Sequence, residues 1–108
     1  MENPLIMDAG QLLCIQNGMG MCLFVCEGLG ILTEEHEWDD VVLKAGRDLL
    51  LQRQGKAIFI ARTRTSLRLA VPPGLKARLE VKTYRGHCPI VLKAWEVSAR
   101  RLKLPAYP

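Results

Sequence analysis

Turn residues punctuate this chain at short intervals, at Asn17-Gly18, Gly28-Leu29-Gly30, Ala45-Gly46, Gln54-Gly55, Pro72-Pro73-Gly74 and Arg85-Gly86. Between them lie short runs rich in Leu, Ile and Val. Short apolar runs bounded by Gly, Pro and Asn are the mark of a β sandwich or barrel. The spacing predicts eight strands, near Leu12 to Gln16, Met21 to Cys26, Ile31 to Thr33, Asp40 to Leu43, Leu49 to Gln52, Ala57 to Ala61, Ser66 to Val71 and Lys76 to Tyr84.

Two of these runs alternate cleanly. Leu67, Leu69 and Val71 oppose Ser66 and Arg68, while Leu75, Ala77, Leu79 and Val81 oppose Lys76, Arg78, Glu80 and Lys82. Each shows one face to a core and one to water. Met21 to Cys26 and Ala57 to Ile60 are apolar at both parities, the expectation for central strands covered on both sides. Residues 89 to 104 read two ways. Pro89, Val91, Ala94, Trp95 and Leu102 suit a helix, whereas Ile90-Val91-Leu92 and Trp95-Glu96-Val97 suit strands. The strand reading followed by a loose tail is preferred.

With 108 residues, 49% of them hydrophobic and 24% charged, the chain has the length and composition of one folded domain. Folding at this size hides roughly two thirds of the unfolded surface. The longest apolar run, Met21 to Cys26, falls far short of the roughly 18 residues of a membrane span. The first residues, Met1-Glu2-Asn3-Pro4, carry no basic n-region. Cytoplasmic location is the expectation, with no membrane partner. Cys14, Cys22 and Cys26 sit in strand-like runs and read as reduced packing residues; a strand holds Cys22 and Cys26 about 13 Å apart.

The segments Ala9-Gly10-Gln11-Leu12-Leu13, Cys26-Glu27-Gly28-Leu29-Gly30-Ile31-Leu32-Thr33 and the run from Asp39 to Gly55 repeat one cadence: strand, glycine turn, strand. This pattern, over roughly residues 5 to 71, resembles the bacterial family catalogued as domain of unknown function 2917, whose members look like minimal cupins. The resemblance implies a small, all-β, cupin-like antiparallel barrel or sandwich of about eight short strands and no established activity. Residues 72 to 108 would add a basic C-terminal strand and tail to the same single domain. A metal-binding cupin resembles a pattern with three histidines and a glutamate; this chain has His36 and His87 alone, and Lys56 stands where the strand opens after Gly55. No cofactor is therefore expected, and three histidine ligands cannot come from one chain.

Glu34, Glu35, His36, Glu37, Asp39 and Asp40 form the densest ionisable cluster, with Glu35, His36 and Asp39 as candidate metal ligands. The ordinary alternative is a solvated loop, favoured by the absence of a cation-loop spacing. Cys88, beside His87 and near Arg85, is the candidate reactive thiol. Neither Gly18-Met19-Gly20 nor Gly28-Leu29-Gly30 continues into a phosphate loop. No nucleophile elbow surrounds Ser66 or Ser98.

Charge divides unevenly. Residues 1 to 71 hold seven Lys and Arg against nine Asp and Glu, a net of −2, whereas residues 72 to 108 hold eight against two, a net of +6. Arg85, Lys93, Trp95, Arg100, Arg101 and Lys103 are accordingly the candidate nucleic-acid or partner contacts, cations interleaved with an aromatic ring. The alternative is the solvent face of a strand. The sequence thus favours a non-catalytic module that holds a small ligand in its barrel or pairs its edge strands with another copy. Binding of nucleic acid or another anionic surface through the basic third comes next, and metal-dependent enzyme chemistry last.

Overall fold

The computed structural model describes residues 4–35 and 39–98. Those residues form ten strands and no helix. In chain order they are β1 (Leu5–Met7), β2 (Leu12–Gln16), β3 (Cys22–Glu27), β4 (Leu29–Glu34), β5 (Val41–Lys44), β6 (Asp48–Leu50), β7 (Lys56–Ala61), β8 (Thr65–Ala70), β9 (Lys76–Arg85) and β10 (Cys88–Ser98). Each of the eight expected runs falls on one of β2 to β9. The expected count of eight is corrected to ten by β1 and β10.

The strands make two antiparallel sheets, ordered β1-β8-β3-β6 and β10-β9-β2-β7-β4-β5. The sheets do not close into a barrel, so the chain is an open sandwich with four edge strands. Over β1 to β8 the chain steps from one sheet to the other at every connection except the β4–β5 hairpin. Because β9 pairs with β2 in register Leu12↔Lys82 to Gln16↔Arg78, the segment after Val71 is built into the larger sheet.

Alternation explains which side chains meet between the sheets. Leu13 and Ile15 of β2, Ala57, Phe59 and Ala61 of β7, Leu32 of β4, and Leu79 and Val81 of β9 point inward. They face Leu5 and Met7 of β1, Leu23 and Val25 of β3, and Leu67 and Leu69 of β8. Burial of each large aliphatic or aromatic side chain contributes about 1.5–3 kcal/mol, and this shared layer holds the two sheets together. Thr65 is the buried polar residue among the described ones; its hydroxyl reaches the carbonyl oxygens of Thr63 at 2.8 Å and Leu29 at 3.2 Å.

The β9–β10 hairpin outruns the sheet it joins. Past Lys82↔Leu12, β9 pairs with β10 alone, through Thr83↔Ile90, Tyr84↔Pro89 and Arg85↔Cys88. Tyr84 in that overhang, and Val91 and Leu92 at its base, are each about half exposed. Opposite Lys82 and Val81 the register slips by one residue, and Leu92 is the extra residue of a bulge.

Candidate interaction surface

In antiparallel sheets, residues directly opposite one another share a face. Following that rule across the larger sheet, Val91, Lys82, Leu12, Ile60, Ile31 and Val42 form one continuous row over all six strands on the face turned away from the core. A second row runs Glu80, Cys14, Ile58 and Thr33. Val42 is 53% exposed and Val91 50%, while Leu12, Ile31, Ile58 and Ile60 are half-buried. Lys82 is the one charged member of the first row, and its four-carbon stem adds apolar surface.

The row exists because three strands are apolar at both parities. In β7, Ala57, Phe59 and Ala61 turn inward, leaving Ile58 and Ile60 outside; β4 leaves Ile31 outside, and β2 leaves Leu12 and Cys14. The expectation that Ala57 to Ile60 is covered on both sides is corrected here. Among the described residues no element packs across the outer face, and Ile58 and Ile60 are only half-buried. Val42 and Val91 at the two ends are exposed, Leu12, Ile31, Ile58 and Ile60 between them are partly so, and Cys14 is buried among its neighbours; apolar surface left open across adjacent strands is the kind at which proteins associate.

Charge frames the apolar rows unequally. Along β9 run Lys76, Arg78 and Lys82, with Glu80 between them. On the opposite flank Asp40 accepts a hydrogen bond from the Thr33 hydroxyl at 2.8 Å, and a Glu35 carboxylate oxygen accepts one from the Lys56 backbone N–H at 2.8 Å. Lys44 and Lys56 stand on that side too. One flank is therefore cationic, and the other carries both signs.

The free edge of β10 bears three features that discourage strand addition. Pro89 lacks an N–H, Leu92 forms the bulge, and Lys93 lies opposite Val81 on the core-facing side. Lys93 Nζ sits 5.3 Å from the Trp95 ring centroid, a cation–π contact at the mouth of the sandwich. Bulges, edge prolines and inward-pointing lysines are the devices by which natural sheets block edge pairing.

The two open sides of the sandwich are clefts. One, of about 660 Å³, is bordered by Leu5, Ile6, Val81, Leu92, Lys93 and Trp95, between edge strands β1 and β10. The other, of about 530 Å³, lies between β5 and β6 and is bordered by Leu32, Glu34, Asp39, Val41, Asp48 and Arg53.

The acidic run is divided in the structure, although Glu34 and Asp39 border the same cleft. Asp39 lines the β5–β6 cleft, whereas Glu35 turns back onto the start of β7; His36 lies outside the described residues. No group of three or more His, Cys, Asp or Glu among the described residues is placed to hold a metal ion. Arg85 sits at the hairpin tip opposite Cys88, which is exposed. The Trp95 ring is partly buried against the core, with Lys93 above it. Arg100, Arg101 and Lys103 lie outside the described residues. The basic segment thus divides between faces: Lys76, Arg78 and Lys82 outside, Lys93 and Arg85 on the inner parity. All four cysteines are free thiols. No helix among the described residues is long and apolar enough to cross a membrane.

Sequence reasoning did not single out Leu12, Ile31, Val42, Ile58 and Ile60 as a surface. The signal was their apolar character at the outward parity. No protein-family model, curated protein or solved structure matches the chain.

Proposed function

We propose that this chain is a non-catalytic, cupin-like binding module that docks a protein on the outer face of its six-stranded sheet. The observation that carries the reading is the row Leu12, Ile60, Ile31 and Val42, apolar across four adjacent strands and left without a cover by the described residues. The cupin-like part of the reading is supported by strand order. Over β1 to β8 the sheets read 1-8-3-6 and 2-7-4-5, the jelly-roll arrangement that cupins share with other double-sheet folds. A protein surface is favoured over an enclosed small ligand because Phe59, Met7, Leu13, Ile15, Leu23 and Leu79 fill the space between the sheets.

Photo-crosslinking in the native host tests the reading. A photoreactive amino acid at position 42 is expected to capture a discrete polypeptide, whereas the same group at position 68, exposed on the smaller sheet, is not. Equal capture from both positions, or none from position 42, overturns it.

A further inference from the structure

We infer that the protein docked on this face is a second copy of the chain, packed sheet to sheet about a two-fold axis parallel to the strands of the larger sheet. The inference rests on the docking reading above and names its partner. Six strands about 4.8 Å apart give a face about 24 Å wide. An apolar surface of that width suits another sheet, which covers every strand at once, as the inner faces of a sandwich do.

Self-packing of one face requires a two-fold axis lying in the interface, and two orientations of it keep the strands of the two copies aligned. An axis perpendicular to the strands sets each strand over its own copy. The β9 row Lys76, Arg78, Glu80 and Lys82 then meets the same row of the partner, three cations against three with one carboxylate on each side, a predominantly like-charge contact that is costly at an interface. An axis parallel to the strands, running between β2 and β7, reverses strand order instead, so that β9 of one copy lies over β4 of the other. Leu12 and Ile60 then straddle the axis, and Leu12 of each copy packs on Ile60 of the other. The stem of Lys82 lies over Ile31 of the other copy, and Arg78 comes over the flank where Glu35 stands. The cationic flank of each copy is thereby set against the flank bearing Glu35 and Asp40. The apolar rows and the uneven charge frame are both satisfied by one arrangement.

Edge-to-edge pairing through β10 is disfavoured by Pro89, the Leu92 bulge and inward-facing Lys93. Face-to-face packing needs none of that edge.

Light scattering coupled to size exclusion, with the full chain from low micromolar to about 100 µM, tests the inference. The expected result is a dimer that Val42→Glu weakens at least about tenfold, since a carboxylate is forced into an apolar contact. Val42 is half exposed, so the variant should melt within a few degrees of the parent. For orientation, Ile31→Cys and Lys82→Cys proteins, each also carrying Cys88→Ser, are mixed and mildly oxidised. The mixture is expected to yield a disulfide-linked heterodimer, and Lys82→Cys alone no linked species. A dimer indifferent to Val42→Glu, or Lys82→Cys linking to itself, overturns the arrangement. A monomer throughout, with a different polypeptide captured from position 42, overturns self-association and leaves the docking reading standing; a monomer with no capture overturns both.

Discussion

The ring of Phe59 on β7 lies over Gly30 on the neighbouring strand β4, filling the space that a β-carbon at residue 30 would need. Phe59 is fully buried in the layer between the sheets, so its ring has no free direction in which to retreat. Gly30→Ala is expected to cost about 1–3 kcal/mol by overpacking. Phe59→Leu, which shortens the opposing side chain, should recover part of that loss. The two changes are then coupled by at least about 0.5 kcal/mol in urea denaturation, and strict additivity would refute the contact.

Thr65 places a hydroxyl in the core, where Thr63 and Leu29 offer the carbonyl oxygens it reaches. Replacement by Val keeps the shape and removes the donor. A loss of about 1–3 kcal/mol is expected, the cost of leaving a buried acceptor less well satisfied. Thr65→Ser keeps the donor and loses only the methyl group, so it should cost less. Were Ser the worse replacement in chemical denaturation, packing rather than the hydrogen bond would be what Thr65 contributes.

Glu35 belongs to the densest acidic run in the sequence, yet its carboxylate is engaged at the entry to β7 by the Lys56 N–H. Glu35→Ala is expected to lower stability by about 1 kcal/mol, the typical worth of one such hydrogen bond. Glu35→Gln, whose amide oxygen can accept the same bond, should restore most of it. Millimolar Ca²⁺ or Zn²⁺ should shift the melting temperature of the parent and of Glu35→Ala equally. A metal-induced stabilisation present in the parent and lost in Glu35→Ala would return this residue to a cation site.

What the sequence made legible follows from where period-two alternation survives. β8 and β9 alternate without interruption, and their inward residues Leu67, Leu69, Ala77, Leu79 and Val81 are all buried. β1 escaped notice because three residues are too few to establish a period. β10 read ambiguously because the bulge at Leu92 shifts the alternation by one. With Leu92 inserted, Val91, Ala94 and Trp95 fall at spacings that imitate a helix. At the surface the difficulty was different in kind. The dual apolar parity of β7 was visible, but what covers a strand's second face is decided by elements far away in sequence or by another chain. In the run from Glu34 to Asp40, likewise, adjacency in sequence does not fix adjacency in space, because Glu35 turns to β7 and Asp39 to the β5–β6 cleft.

The edge of β10 offers a test in which the expected effect is a gain. A long exposed strand edge with Val91 and Leu92 half exposed would ordinarily template further pairing. Pro89 withholds a donor at one end, and Lys93, on the core-facing side, would carry its charge under any strand added there. Pro89→Thr with Lys93→Val removes both obstacles while raising β propensity at each position. The double variant should form higher oligomers with increasing concentration, seen as a rise in scattering mass that the parent lacks, and its infrared spectrum should gain intermolecular β signal. Val42→Glu lies on the far edge of the sheet, on β5, and should leave this new assembly intact. Scattering unchanged in the double variant would mean that the bulge at Leu92 alone is enough to keep the edge closed.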